Sequence, residues 1–303
     1  MPLVAVVGPT GSGKSELGLR IAEYYDGEIV NCDSMQIYSG FDIGTAKVPL
    51  EERRGIPHHL IDCAAPDQVF SAGDYARAAA LAICEISGRG KLPVLVGGTG
   101  FYLRALLEGL PDLPPRSEPL RRALARRGPD RLLRMLQRLD AGAARRIHAN
   151  DIGRVTRALE IRLLTGKPAP ARASGSGLPG FRVRKIGLFP PREELYAALD
   201  RRTKRMFGEG LLEEVQGILA RGVPPHAKPF EAVGYRQALA VVLGRITVAD
   251  AVAQAQQATR NYAKRQITWF RHDPTLRKLE EFGSEAPAAL AMEECASETN
   301  SPF

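Results

Sequence analysis

The fold is decided by the stretch Leu3-Val4-Ala5-Val6-Val7-Gly8-Pro9-Thr10-Gly11-Ser12-Gly13-Lys14-Ser15. Residues 3–7 are apolar and mostly β-branched, and they stop at Gly8-Pro9, which predicts a buried strand of a parallel sheet. Residues 8–15 match the pattern G-x-x-x-x-G-K-[ST]. A helix pattern follows, with Leu17, Ile21 and Tyr24 on one face. Strand, glycine loop and helix therefore occur in the order that a phosphate-binding loop requires.

Every residue of this loop, from Gly8 to Ser15, is a candidate phosphate-binding residue. Glycines let backbone N–H groups point toward an anion, and the following helix directs its positive end to the same place. Lys14 supplies a positive charge, and the Ser15 hydroxyl is placed to bind Mg²⁺. The alternative is a purely structural glycine turn. The loop indicates that a phosphate binds and leaves open which molecule carries it.

Composition and length bound the class of protein. The 303 residues suffice for one large or two modest domains. No run of 18 apolar residues occurs, so we expect no membrane partner. The N-terminus enters a strand without a signal peptide, so we expect a cytoplasmic protein. We also expect a monomer. The cysteines lack C-x-x-C spacing, which predicts reduced thiols rather than a zinc site or a disulfide framework. They are Cys32, Cys63, Cys84 and Cys295.

The positive charge is concentrated in one region. Between Arg116 and Arg205 there are 23 Lys and Arg against 8 Asp and Glu, a net +15, whereas the whole chain carries +8. This asymmetry indicates that one region faces a polyanion such as a nucleic acid. The alternative is a set of solvated, arginine-rich helices.

Two further strand ends belong near the phosphate loop. Residues 27–32 predict a second strand that ends at Asp33, and residues 92–96 predict another that ends in Gly97-Gly98-Thr99. Ligands of open α/β sheets bind beyond the carboxyl ends of strands, so Asp33 is expected beside the phosphate loop. A P-loop ATPase usually has an aspartate at a neighbouring strand end to hold Mg²⁺ and water, and that residue is missing after Val96.

The chain is predicted to be α/β, with a P-loop NTPase-like parallel sheet and flanking helices, a mainly helical insertion and C-terminal helices. A proline-dense segment at 111–115 marks the start of the basic region. We predict a discontinuous core (1–112 and 182–282), a helical, basic insertion (113–181), with a mobile loop at 167–180, and a disordered tail (283–303). Near residues 260–271 aromatic and basic side chains alternate, which fits either a nucleic-acid surface or a packed helix with solvated cations.

The chemistry predicted from these residues is general-base catalysis at a phosphate ester. Asp33 can accept a proton from a nucleophile while Lys14, the loop amides and Mg²⁺ stabilise the departing phosphate. Asp33 could instead cap a turn or pair with Lys14, and Thr99 could merely cap the next helix. Three functions remain open at this point: a transferase with a diphosphate leaving group, a P-loop small-molecule kinase with Asp33 as base, and a non-catalytic RNA-binding protein.

Nine blocks of the sequence, in their order, closely resemble the tRNA dimethylallyltransferase family (bacterial isopentenyl-tRNA transferases, the IPP transferase family). The blocks are GPTGSGKS (8–15), NCDSMQIY (31–38), GTAK (44–47), PHHLID (57–62), VGGTGFYLRAL (96–106), NDxxRVxRALE (150–160), EEV (213–215), VGYRQ (233–237) and RNYAKRQITWFR (260–271). The resemblance implies transfer of a dimethylallyl group from dimethylallyl diphosphate to the exocyclic N6 amine of adenosine 37. The implied substrates are tRNAs reading codons that begin with U, and the protein binds their anticodon stem-loop. The implied products are N6-(dimethylallyl)adenosine and diphosphate.

The resemblance also implies residue roles. Asp33 is the general base, Ser34, Met35 and Gln36 line the flipped adenine, and Thr99 contacts the target nucleotide and the bridging oxygen of the diphosphate. Arg202 is a second cation for the diphosphate, and Mg²⁺ is the cofactor. The implied tRNA contacts of the insertion are Arg121, Gly153, Arg154, Val155, Thr156 and Arg157. The family commonly has Gln at the position of Gly153, so only backbone can make a contact there.

Overall fold

A six-stranded, all-parallel sheet has the first predicted strand near its centre. The computed structural model describes residues 1–170 and 177–285. The strands are β1 (Pro2–Val7), β2 (Gly27–Asn31), β3 (His58–His59), β4 (Leu92–Gly97), β5 (Arg182–Leu188) and β6 (Leu276–Leu279), and their spatial order is β3-β2-β4-β1-β5-β6. The α/β class with a parallel sheet is thus confirmed.

The chain divides into two compact units. Of the described residues, 1–106 and 178–285 form the sheet unit, and those between 107 and 177 form the other unit. Both boundaries lie a few residues before those that the sequence indicated. The helices of the sheet unit are α1 (Lys14–Tyr24), α2 (Ala72–Gly88), α3 (Gly100–Leu107), α8 (Arg192–Gly208), α9 (Leu211–Ala220), α10 (Tyr235–Val242) and α11 (Val248–Arg271), and those of the helical unit are α4 (Glu118–Ala125), α5 (Pro129–Leu139), α6 (Ala141–Arg146) and α7 (Ile152–Thr165).

The central strand is apolar because both faces of the sheet are covered. Val4, Val6 and the facing residues of β4 and β5 pack with Leu17 and Ile21 of α1 in one core cluster. Leu3 to Val7 are each at most 2% exposed. A strand buried on both faces reads as a continuous apolar run, which is why this stretch was recognisable.

The edge strand β6 was not predicted from the sequence. It has only four residues, two of which are Arg277 and Lys278, and it pairs with β5 from Lys185↔Leu276 to Leu188↔Leu279. Short length and cationic side chains are typical of a protected sheet edge, and they also remove the apolar pattern on which strand prediction depends.

The helical unit has a core of its own, formed by the inward faces of its helices. Leu132, Leu136, Val155 and Leu159 are at most 2% exposed and belong to one cluster. In this unit Lys and Arg number 15 against 7 Asp and Glu, so its excess equals the net charge of the whole chain, and the remaining residues are balanced. The charge asymmetry therefore belongs chiefly to this unit.

Two loop and tail predictions fall partly on the described residues. Gly283, at the start of the predicted tail, donates its N–H to the Ser12 carbonyl oxygen at 3.0 Å and is thereby held against the phosphate loop. Residues 286–303 of the tail and 171–176 of the predicted mobile loop lie outside the described residues. None of the helices seen in the described ranges is both long and apolar enough to cross a membrane.

Candidate active site

The loops that follow β1, β4 and β2 meet at one edge of the sheet because these neighbouring strands are parallel. They are the phosphate loop (8–15), the loop that contains Gly98 and Thr99, and the loop that contains residues 33–36. The sequence prediction that Asp33 lies beside the phosphate loop agrees with this arrangement, since both line one cavity.

The phosphate loop has the backbone that its glycines allow. Gly11 and Gly13 have φ angles of 80° and 82°, in the left-handed region that favours glycine. A Cβ at Gly8 would lie 2.6 Å from the Leu188 carbonyl oxygen of β5, so no side chain fits there. Ser12 is fully buried and its hydroxyl donates to the Pro9 carbonyl oxygen at 2.9 Å, so this side chain shapes the loop and is not available to a ligand.

Two cations face the loop. Lys14 Nζ donates to the Pro9 carbonyl oxygen at 2.6 Å, and burial lowers the pKa of Lys14 to about 8, against a smaller opposing effect of Asp33. Arg202 of α8 donates through Nη2 to Thr10 Oγ1 at 2.8 Å, and burial lowers its pKa too. Both cations are desolvated before any ligand binds, so an incoming anion gains more from them than it would from surface lysines.

Asp33 is fixed by its own turn. Its Oδ1 accepts the Met35 N–H at 2.9 Å, and its backbone N–H donates to Asn31 Oδ1 at 3.1 Å. Within the described residues Asp33 forms no ion pair, and its Oδ2 has no hydrogen-bond donor. One carboxylate oxygen therefore orients the group and the other is available to accept a proton.

Thr99 connects two of the loops. Its Oγ1 accepts the Ser34 N–H at 3.0 Å, while its backbone N–H donates to the Cys32 carbonyl oxygen at 3.1 Å. Burial raises the pKa of Tyr262 on α11, and the nearby Thr99 side chain opposes this rise. The side chain of Thr99 thus faces the site and does not cap α3.

Gln266 of α11 is a residue of the site that sequence reasoning missed. Its Oε1 accepts the Thr10 N–H at 2.8 Å and its Nε2 donates to the Gly98 carbonyl oxygen at 2.9 Å. The side chain is 5% exposed. It therefore joins the phosphate loop to the loop after β4. The RNYAKRQITWFR block contains this residue, but the block alone does not tell which of its polar side chains points inward.

Two cavities meet at Asp33. The first, about 360 Å³, is lined by the phosphate loop, Lys14, Ser15 and Gln36. The second, about 240 Å³, adds apolar and aromatic side chains. Asp33 and Arg202 line both. Other residues that line the second cavity include Ser34, Met35, Met206, Phe207, Tyr262 and Arg265.

A loop that lines both cavities is held by two residues of blocks with no role assigned from the sequence. Glu214 of the EEV block accepts the N–H groups of Asp42 and Ile43 at 3.2 and 2.9 Å. Tyr235 of the VGYRQ block accepts the Gly44 N–H at 3.1 Å and donates its hydroxyl to Glu214. These contacts fix the GTAK block, whose Thr45 and Ala46 line both cavities.

The adjacent histidines have separate surroundings. His59 Nε2 contacts Glu28 Oε2 at 2.6 Å, whereas His58 Nδ1 contacts the Ile56 carbonyl oxygen at 2.8 Å and the ring lines the first cavity. Among the described residues no group of three or more His, Cys, Asp and Glu side chains could hold a metal. A Mg²⁺ ion that takes few protein ligands and completes its shell with phosphate oxygens and water still fits Ser15, which lines the first cavity.

The predicted tRNA-contacting residues of the helical unit differ in exposure. Arg154 has a side chain 72% exposed, and Gly153 is also exposed. Val155 is fully buried in the core of the unit, so its side chain cannot face RNA.

The two other arginines of this set are turned toward a buried acid. Arg157 donates to the fully buried Glu160 at 2.6 Å and to the Pro114 carbonyl oxygen at 2.7 Å. Arg121 Nε lies 3.8 Å from the same carboxylate. Glu160 draws Arg157 inward, so the Arg157 side chain is 27% exposed, whereas that of Arg154 is 72% exposed.

Comparisons with known proteins agree over nearly the whole chain. The family model described as IPP transferase matches residues 36–273. A tRNA dimethylallyltransferase of Solibacter usitatus is 58% identical over 290 residues, which is 94% of each chain. The crystal structure of a tRNA isopentenylpyrophosphate transferase from Bacillus halodurans is similar with a TM-score of 0.73 and 36% identity, covering 98% of this chain and 96% of that one. A eukaryotic dimethylallyltransferase acting on tRNA aligns with a TM-score of 0.80 and 27% identity over 100% of this chain and 80% of its own.

Proposed function

Because the chain belongs to the IPP transferase family, we propose that it transfers a dimethylallyl group from dimethylallyl diphosphate to N6 of adenosine 37 in tRNAs reading codons that begin with U. The observation that carries the proposal is the position of Asp33 on the wall common to a phosphate-loop cavity and a partly apolar cavity. A donor with an anionic and an apolar end and an adenine acceptor require such a pair of cavities.

The reaction breaks the bond between the allylic carbon and the diphosphate oxygen and forms a bond from that carbon to N6. The leaving diphosphate gains negative charge, which Lys14, Arg202 and the loop N–H groups stabilise. The free oxygen of Asp33 accepts the proton that N6 loses. Ser15 would hold Mg²⁺, which would supply further positive charge for the leaving group.

The acceptor base enters the second cavity. Ser34 and Met35 line it, and Thr99 lies at its edge through Ser34 and Tyr262. An adenine inside an anticodon loop must leave its stack to reach this depth, at a cost of roughly a few kcal/mol. Phosphate contacts of the helical unit offset that cost, with exposed Arg154 as a principal contact, so tRNA binding weakens steeply with salt.

A small-molecule kinase is the less well supported hypothesis for the function. It would need a site for the attacking hydroxyl of a small substrate and an acidic residue for Mg²⁺ after β4, where this chain has Gly97 and Gly98. We further propose that the protein acts as a monomer in the cytoplasm, where its tRNA substrates are modified.

The proposal is tested with an unmodified tRNA transcript, Mg²⁺ and dimethylallyl diphosphate, followed by mass analysis of the anticodon-loop fragment. We expect the added mass of one dimethylallyl group on adenosine 37, and none on a transcript with guanosine there. Absence of product with a tRNA that a known family member modifies would refute the function. Phosphoryl transfer from labelled ATP to a small molecule would favour the kinase.

Matched variants separate the residue roles. Asp33→Asn should reduce single-turnover transfer by at least 10²-fold and leave the Kd for tRNA unchanged, because only the proton acceptor is lost. Arg154→Ala should weaken tRNA binding and leave turnover at saturating tRNA intact. Equal effects of both substitutions on both quantities would contradict the assignment.

A further inference from the structure

A cation–aromatic cluster lies on the surface of the sheet unit, outside both cavities. It consists of Phe101 and Arg104 of α3 and Trp269 of α11. The Arg104 guanidinium carbon lies 4.8 Å from the centroid of the Trp269 ring and 5.6 Å from that of Phe101. Phe101 is 46% and Trp269 38% exposed. Two large aromatic rings held at a surface by a cation need an explanation, because side chains of this kind usually bury more of their area.

The cluster continues a line of similar side chains that begins inside the second cavity. Tyr262, Arg265 and Trp269 follow one another at helical spacing along one side of α11, and Arg265 lies 5.5 Å from the centroid of the Tyr262 ring. Tyr262 and Arg265 line the cavity. From Tyr262 to Trp269 the helix rises about 10 Å, the length of about three stacked nucleotides.

The position of Trp269 is fixed by backbone on the other helix. A Cβ at Gly100 would lie 2.0 Å from Trp269 Nε1, so the glycine allows the indole to pack directly on the start of α3. Gly100 follows Thr99, the residue that contacts Ser34. The aromatic cluster is therefore built in register with the site and is not a loose surface feature.

The two arginines on this surface have no acidic partner among the described residues. Over residues 1–170 and 177–285, neither Arg104 nor Arg265 makes a hydrogen bond or an ion pair with another residue. Arg104 lies over the rings of Phe101 and Trp269, and Arg265 lies over that of Tyr262. Aromatic faces with nearby guanidinium groups bind unpaired nucleobases by stacking while the cations attract phosphates. Protein interfaces also use tryptophan and arginine, but this cluster continues the line of side chains that begins in the second cavity, which favours the RNA.

We propose that Phe101, Arg104 and Trp269 form a stacking platform for the nucleotides that flank the target adenosine in the anticodon loop. This inference rests on the proposed transfer to a tRNA-loop adenosine. When the target base turns into the second cavity, its neighbours lose a stacking partner. The platform replaces that partner and so lowers the cost of extruding the base.

The test measures binding of a fluorescein-labelled anticodon stem-loop by anisotropy, without isoprenoid donor, so that it does not depend on catalysis. Trp269→Ala should raise the Kd about tenfold, and Trp269→Phe, which keeps an aromatic face, less than about threefold. Phe101→Ala should raise it in the same direction. Tyr24→Ala is the matched control, because Tyr24 is an aromatic residue 69% exposed at the end of α1 and outside the cluster, and its Kd should equal that of the wild type.

A second RNA distinguishes stacking from a general loss of structure. With abasic sites in place of the two nucleotides that flank the target, the wild type should bind as weakly as Trp269→Ala binds intact RNA, and the variant should lose nothing more. The Kd of Trp269→Ala for inorganic diphosphate should equal that of the wild type. Arg104→Gln should reduce the slope of log K against log salt by about one.

Unchanged RNA affinity of both Trp269→Ala and Phe101→Ala would overturn the proposal. An equal loss of affinity by Trp269→Ala on intact and abasic RNA would also overturn it. Unchanged RNA binding together with a shift of oligomeric state in sedimentation would assign the surface to a protein contact instead. The two hypotheses fail separately: a wild type that binds the stem-loop through Trp269 and adds no dimethylallyl group refutes only the proposed function.

Discussion

Replacing Gln266 by leucine should loosen the phosphate loop and destabilise the sheet unit together. The side chain is buried and serves the Thr10 N–H and the Gly98 carbonyl oxygen at 2.8 and 2.9 Å. Each buried backbone group that loses its partner costs about 1–3 kcal/mol, and the added apolar burial of leucine recovers part of this. We expect a net loss of about 2–4 kcal/mol in the free energy of unfolding and a fall of about tenfold in kcat/KM for the isoprenoid donor.

The assay follows urea unfolding by tryptophan fluorescence. Trp269 is the only tryptophan of the chain and lies on the same helix, so the signal reports on the sheet unit alone. Gln254→Leu is the matched control, since Gln254 is an exposed glutamine of α11, and it should change the free energy of unfolding by less than 0.5 kcal/mol, in the range of ordinary surface substitutions.

Gln266→Glu sharpens the same prediction through its pH dependence. A protonated glutamic acid can accept from Thr10 and donate to Gly98 as glutamine does, whereas the charged form cannot donate and is buried. The folded-state pKa of this carboxyl is then raised, so its stabilising effect is present at low pH and lost as the pH rises through that pKa. The variant should thus be closer to the wild type at pH 5 than at pH 8. A Gln266→Leu protein as stable as the wild type, with unchanged kcat/KM, would refute the bridging role.

Three other outcomes are expected. Lys14, with a pKa of about 8, is protonated below that pH and loses its charge above it, so the Kd for diphosphate should rise from pH 7 to pH 9.5 in titration calorimetry. The rise should be absent in Lys14→Arg, and an equally steep rise in this variant would exclude Lys14 as its source. Tyr235→Phe should raise the KM for both substrates by several-fold in steady-state assays, because the Gly44 N–H loses its acceptor. Glu214→Gln should raise the KM less, since the amide oxygen can still accept the Ile43 N–H. Unchanged KM values in both variants would show that neither side chain is needed to hold the loop. Glu160→Ala should destabilise the helical unit by about 3–5 kcal/mol, because two arginines lose their buried acid, and hydrogen exchange of peptides from 107–177 should accelerate while that of α1 does not.

How far the sequence determines the site follows from the kind of signal each residue leaves. The phosphate loop and Asp33 were predictable because parallel strands bring their carboxyl ends to one edge, which needs no knowledge of side-chain packing. The roles of Gln266 and Glu214 were not predictable. A polar residue on an amphipathic helix gives the same sequence pattern whether it faces solvent or binds a backbone group far along the chain. Arg154 and Arg157 lie one turn apart on α7, but their spacing does not reveal that the buried Glu160 draws Arg157 inward.

The position of β1 in the sheet has a consequence for synthesis on the ribosome. The strand that is made first has neighbours that come much later, since β4 begins at residue 92 and β5 at residue 182. One edge of this apolar strand stays unpaired until β4 has been made, and the other until more than half of the chain has been translated. An unpaired strand edge favours chaperone binding or aggregation. Residues 107–177 are contiguous and have their own core, so they can fold during this delay, before the chain that completes the sheet has emerged. The nascent protein thus acquires its basic helical unit before its catalytic edge.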